Sequence, residues 1–301
     1  MFDLRYHVAS LAAVFLALII GILVGVGISG KGFVSDSERK LLNEKIARLQ
    51  GQLDSASRRS DSLARTQRAA QTFVKDAYPA LMDGRMSGLR VALVFVGPQD
   101  GRTRSLVEQA LEDAGGAGPL RTRALKLPID PPALRRALSR RPALASLATR
   151  QRIGDLGRRL GEELVAGGDS TLWKLLSDDL LEERAGNDAP PADGVVIART
   201  VAPQTGVTAR FLAGFYAGIG SKGVPAIGVE RSDRGLSAVS GLSAVSAFAK
   251  QHLSTVDDLD TEAGRLALVL LLGGAAPGQY GVRKTAADGV LPQIPLVTTG
   301  G

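Results

Sequence analysis

Residues 8–28 carry no charged side chain. At about 1.5 Å of rise per residue, such a run makes a helix of about 31 Å, enough to cross the hydrocarbon core of a bilayer. A cleaved signal peptide has a shorter apolar region, about 7–15 residues. The run therefore reads as an uncleaved signal anchor occupying residues 1–34. A very short N-terminus before a large C-terminal part favours export of the bulk of the chain. The expectation is a single-pass cell-membrane protein whose remaining residues are extracytoplasmic.

Small residues recur in this span at every fourth position: Ala9, Ala13, Ala17, Gly21, Gly25 and Ser29. Such a stripe lets two helix backbones approach closely in lipid, and Gly21 and Gly25 form a GxxxG pair. Gly25, Gly27 and Gly30 also satisfy GxGxxG, but no strand–helix–strand context surrounds them, so no dinucleotide site is implied.

Residues 35–80 read as a coiled-coil stalk. They are polar, nearly free of Gly and Pro, and carry two heptad series. Leu42, Leu49, Ala56, Leu63 and Ala70 fit d positions; Ile46, Leu53, Ser60, Gln67 and Val74 fit a positions. Ser60 and Gln67 weaken the middle. The seam of Leu42, Ile46, Leu49, Leu53 and Leu63 predicts a parallel homodimer; the alternative is a single helix packed on its own globular domain. Either would hold the next domain up to about 60 Å from the bilayer. Pro79 and the Asp83-Gly84 turn are expected to end the helix.

Residues 88–301 read as an α/β domain with a mainly parallel sheet. Strands are expected at 91–96, 194–198 and 224–229, and helices at 102–114, 133–147, 151–165, 172–184, 207–218 and 261–272. Residues 117–132 and 185–193 are expected as loops. Alternating strands and helices favour a parallel sheet covered on both faces. Gly235-Leu-Ser-Ala-Val-Ser is repeated at once from Gly241, a tandem expansion rather than a solenoid.

Composition removes most chemistries. The chain has no Cys, which excludes disulfides, thiolate catalysis and zinc ribbons, and its only histidines are His7 and His252. Aromatics are 4% of residues, too few for a single-strand nucleic-acid platform, so no nucleic-acid partner is expected. Gly241-Leu242-Ser243-Ala244-Val245 lacks the last Gly of a nucleophile elbow. Asp257, Asp258, Asp260 and Glu262 read as helix-initiating acids, with Ser254, Thr255 or Thr261 as cap. Met82 and Met86 flank a turn and form no visible copper site. No catalytic residue, cofactor or enzyme activity is expected. Residues 102–159 hold thirteen Lys/Arg against five Asp/Glu, whereas the whole chain has a net charge of +7. That excess reads either as a patch for an anionic partner or as the solvated face of amphipathic helices.

In a doubly wound sheet, ligands bind beyond the carboxyl ends of the strands. Asp100, Arg199, Thr200, Glu230, Arg231 and Asp233 are the residues expected at such a crevice.

The opening Leu4-Arg5-Tyr6-His7-Val8-Ala9-Ser10-Leu11-Ala12-Ala13-Val14-Phe15-Leu16-Ala17-Leu18, continuing to Gly21-Ile22-Leu23-Val24-Gly25, resembles the start of the actinobacterial copper-transporter family (MctB-like, also called SteB-like). Ser254-Thr255-Val256-Asp257-Asp258-Leu259-Asp260-Thr261, Ala263-Gly264-Arg265 and Gln279-Tyr280-Gly281-Val282 are similar to its C-terminal half. The resemblance implies an envelope protein in copper homeostasis or efflux, with copper as a transported ion. For some members it implies a pore. For others it implies a role in septal cell-wall remodelling beside a membrane or cell-wall protein partner. It transfers no catalytic or metal-binding residue. The alternative function is a dimeric envelope scaffold with no copper chemistry of its own.

Overall fold

The computed structural model describes residues 4–29, 36–233 and 253–293. The chain separates into two units, Met1–Ala70 and Gln71–Gly301.

In the first unit, α1 (Leu4–Ser29) is one uninterrupted helix. Its segment His7–Gly27 has a mean hydropathy of 2.8, is long enough to cross a membrane, and buries none of its side chains against protein. A water-soluble fold would cover such a surface; lipid does so for a span. Among the described residues no other helix has this character. Most of α2 (Asp36–Met82) also lies in this unit. Its end differs from expectation, because the helix runs through Pro79 to Met82. Proline removes one backbone donor and breaks helix interiors. Here it falls in the last turn, and the turn still closes through a bond from the Asp83 N–H to the Pro79 carbonyl at 3.1 Å.

The second unit is built on a seven-stranded sheet among the described residues. The strands are β1 (Val91–Val96), β2 (Arg121–Leu125), β3 (Leu181–Gly186), β4 (Gly194–Arg199), β5 (Ala226–Val229), β6 (Ser254–Val256) and β7 (Gln279–Tyr280). Their spatial order is β3-β2-β1-β4-β5-β6-β7. All neighbours pair in parallel except β3, which runs antiparallel to β2 at one edge. The order reverses between β1 and β4, the topological switch point of a doubly wound fold.

All six residues of β1 are buried, because both faces of the sheet are covered. Ala92, Val94 and Val96 enter one apolar cluster with α4 (Pro131–Ala137), α6 (Ile153–Ala166) and α9 (Gly206–Gly220). Val91, Leu93 and Phe95 enter the other, with α3 (Gly101–Asp113), α10 (Glu262–Leu272) and the last turn of α2. The apolar part of α10, Leu266–Leu272, is buried as expected for its shortness. Tyr78, Met82 and Met86 fix the end of α2 into that second cluster.

Three expectations need correction. Residues 117–132 contain β2, which its two arginines disguised as loop. The stretch 172–184 is two short helices, α7 (Thr171–Leu175) and α8 (Ser177–Leu180), followed by β3, rather than one helix. The stretch 133–147 is not one helix but α4, α5 (Pro142–Ala145) and a 3-10 turn at Ser146–Ala148, the break falling at Pro142, which starts a new helix. The tandem repeat of 235–246 and His252 fall outside the described residues.

The closest helix contact is between α6 and α9, and glycine makes it possible. A Cβ at Gly157 would sit 2.2 Å from the Phe211 carbonyl oxygen, and one at Gly161 2.2 Å from that of Phe215. From the other side, Gly214 meets Gly154, and Gly218 meets Arg158. Backbone cannot yield as a flexible side chain would, so Gly157→Ala or Gly161→Ala should destabilise the domain by about 1–3 kcal/mol. Gly51→Ala, in open space on α2, should be neutral or stabilising. Urea denaturation of the three variants checks this; equal midpoints would show that the helices slide apart at no penalty.

Candidate functional site

The crevice residues come from four elements at one end of the sheet. Asp100 follows β1 and caps α3, its Oδ1 accepting from the Thr103 N–H at 2.8 Å. The same oxygen accepts from Arg231 Nη1 at 2.9 Å, and Arg231 Nε donates to Asp233 Oδ1 at 2.9 Å. Arg102 Nη1 reaches Asp233 Oδ2 at 2.7 Å. Asp100, Arg231, Asp233 and Arg102 thus form one alternating chain of charges. It ties the end of β5 to the start of α3 across the switch point.

Thr200 is not a free ligand group. Its hydroxyl donates to the Pro98 carbonyl at 2.7 Å, locking the loop after β1 to the end of β4. Gly97 lets the two segments touch. It has φ +108°, and a Cβ there would lie 2.5 Å from Val201.

Sequence reasoning missed Arg283, which completes the site. Its Nη1 donates to Glu230 Oε2 at 2.8 Å and its Nη2 to the Arg231 carbonyl at 2.8 Å. Asp257 holds the backbone of that arginine in place, accepting from the Val282 N–H at 2.8 Å. Gly281, at φ +138°, lies so close that a Cβ would strike the Asp257 carboxylate. The Gln279-Tyr280-Gly281-Val282 stretch was the available signal, although nothing in its spacing points to Glu230.

The acidic run divides its labour differently from the expected set of helix-initiating acids. Only Thr261 caps α10, accepting from the Gly264 N–H at 2.9 Å; Ser254 and Thr255 belong to β6. Asp257 anchors the loop just described. Asp258 is fully buried and accepts from the Thr261 hydroxyl at 2.9 Å. Asp260 accepts from Ser232, its Oδ2 lying 2.6 Å from that hydroxyl.

Arg199 also reaches this end, with Nε and Nη1 enclosed and without a hydrogen-bond partner. The crevice as a whole is a polar clamp that neutralises its own charges. Geometrically it can hold strand ends and bind a polar group. Among the described residues, no three His, Cys, Asp or Glu side chains are grouped to hold a metal ion. The thioethers do not fit copper either, since Met82 and Met86 are buried in the apolar cluster on the far side of β1.

Burial pushes the Glu230 carboxyl from an ordinary value of 4.5 up to about 7. Arg283 and Arg199 oppose the rise and Asp257 adds to it. Asp258 is pushed the same way, to about 6, again chiefly by burial.

The profile of the family described as "Copper transport outer membrane protein, MctB" matches residues 1–292. The chain belongs to this MctB family. Curated relatives named "Copper transporter MctB" from Mycobacterium tuberculosis and Mycobacterium bovis are 27% identical over 323 aligned residues. These alignments cover 97% of this chain and all of each relative. The match therefore includes the apolar span, α2 and the α/β unit, and it supports a copper-related envelope function for an MctB-family chain.

The raised Glu230 gives a signed prediction. Between pH 4.5 and about 7 the folded state keeps a proton that the unfolded state has lost. The group's stabilising contribution is complete below pH 4.5 and is lost as pH rises through about 7. The full difference is on the order of 3 kcal/mol. Glu230→Gln should flatten the stability profile between roughly pH 5 and pH 8. Urea unfolding at several pH values measures it, and a variant as steep as wild type would assign the slope to other groups.

Proposed function

We infer that this chain is a membrane-anchored envelope protein in copper ion homeostasis or efflux, acting by binding and assembly rather than by turnover. The carrying observation is the match of 97% of the chain to proteins named copper transporters in two mycobacteria, with the apolar helix inside the family match. Copper is then cargo, not a resident cofactor. Cu(I) favours thiolate and thioether ligands and Cu(II) imidazole. Among its described residues the second unit offers copper only the buried thioethers of Met82 and Met86, which favours a copper path among assembled copies of α1 or in a recruited partner.

Cell-associated copper in a deletion strain, its parent and a complemented strain tests this reading. Deletion should raise copper under moderate copper stress, and complementation should reverse it. Unchanged copper in all three strains would remove the copper role.

A second reading, a dimeric scaffold for a partner in septal cell-wall remodelling, is favoured by one specific feature. Along α2 the seam leucines stand in the open, with Leu53 and Leu63 each 70% exposed. Leucine at repeated heptad positions is covered in a stable coiled coil by the same residues of a second helix. The small-residue face of α1 would continue that pairing in lipid. Because the chain has no native cysteine, Leu53→Cys supplies a clean probe. Mild oxidation of membranes should convert most of the chain to a disulfide-linked pair, whereas Arg58→Cys, outside the seam, should give far less. Equal yields from both would argue against the seam.

A further inference from the structure

Two populations of arginine divide the second unit. Around the sheet ends they are paired: Arg90 with Asp193, Arg104 with Glu108, Arg123 and Arg184 with Asp188, Arg231 with Asp100, and Arg283 with Glu230. Residues 131–160 are different. They hold eight arginines and one aspartate, a surplus of seven positive charges, equal to the net charge of the whole chain. All eight arginines are exposed. Within this segment only Arg152 makes an ion pair, with Asp155. The surplus sits on α4 (Arg135, Arg136), on the N-terminal half of α6 (Arg158, Arg159) and on the segments between α4 and α6 (Arg140, Arg141, Arg150, Arg152), and these elements pack together around the 3-10 turn at Ser146–Ala148. They cover one face of the sheet, while the end of α2 packs on the other, so the stalk's last turn does not cover them.

We propose that this arginine-bearing layer binds an anionic phospholipid surface through its headgroup phosphates. Guanidinium forks match phosphate oxygens bidentately, and their weak hydration makes them better suited than lysine to an interface. The layer has nothing to insert or stack. Residues 131–166 contain no aromatic residue, and the aromatic side chains beneath, Trp173, Phe211 and Phe215, are buried. A protein partner would call for apolar or aromatic anchors, and single-stranded nucleic acid for stacking rings. Headgroups need neither. Each arginine near an anionic surface strengthens attachment roughly fivefold.

The test uses the full chain with α1 embedded in phosphatidylcholine nanodiscs. Its association is measured with vesicles of phosphatidylcholine, with and without phosphatidylglycerol. The wild type should float with the anionic vesicles only, and salt should release it. Changing Arg135, Arg136, Arg140 and Arg141 together to Glu should weaken association by roughly several hundredfold or more. The same four changed to Lys should keep it within a few-fold. Reversal of Arg58, Arg59, Arg65 and Arg68 on α2 makes the same change in net charge and should have little effect. Thermal melts of each variant confirm folding. Three results overturn the proposal: equal binding to neutral and anionic vesicles, equal losses for the two Glu variants, or binding to soluble polyglutamate or polyphosphate without binding to vesicles. The last would assign the layer to an anionic polymer instead.

Discussion

The second unit depends on β1 being buried on both faces. A strand wet on one side can alternate apolar and polar residues, but a strand between two helical layers cannot. Val91–Val96 meets that demand with six consecutive apolar residues. Everything at the crevice follows from this placement. The loop after β1 must leave the sheet at the switch point, so Asp100 falls at the start of α3 and faces Arg231. The β4 end arrives beside it, and Thr200 locks the two together. Along the opposite end of the same strands, Arg90 and Asp193 make the matching connection, with the carboxylate 3.0 Å from Nε.

The legible parts of the fold were those where one physical demand acted alone. Uninterrupted apolar runs at β1 and β4, and helical spacing at α3, α6, α9 and α10, gave nearly the right boundaries. β2 was hidden because Arg121 and Arg123 are buried within it, a polarity no central strand should show. Their charges are managed from outside the strand: Arg121 donates to the Pro190 carbonyl, and Arg123 pairs with Asp188 and donates to the Ala185 carbonyl at 2.7 Å. Burial nonetheless lowers the Arg123 guanidinium to about 10. β3 was hidden for the opposite reason. As an edge strand it exposes every second residue, and Glu182 and Arg184 read equally well as a helix surface. The crevice was legible as a location, because strand ends predict it, whereas its pairing was not. Arg283 is 53 residues from Glu230 along the chain and meets it only once β7 has been laid beside β6.

The crevice and the copper label pull in different directions, and geometry accounts for the gap. A ligand site needs groups with unspent hydrogen-bonding or charge, yet most ionised groups here are spent on one another. Asp100, Arg231, Asp233 and Arg102 close a chain, and Glu230 and Arg283 close a pair. Their product is rigidity at the exit of β5, the point where the chain leaves the sheet toward residues 234–252. Family membership spans the apolar helix, α2 and the α/β unit together.

The distribution of charge adds a last constraint. Most arginines around the sheet ends meet an acid, Arg199 being an exception; those of residues 131–160, apart from Arg152, do not. In that segment Asp155 is the single acid before Glu162 and Glu163 at the far end of α6. Like charges at short range on adjoining helices repel, and that repulsion weakens the folded state unless counter-charge arrives from outside. The apolar contact between α6 and α9 is close enough to hold the layer together against it, with glycines in both helices bringing backbone against backbone. Rigid packing below and unpaired cations above are therefore two aspects of one arrangement. The helices can present a positive face because their attachment to the sheet does not rely on surface ion pairs.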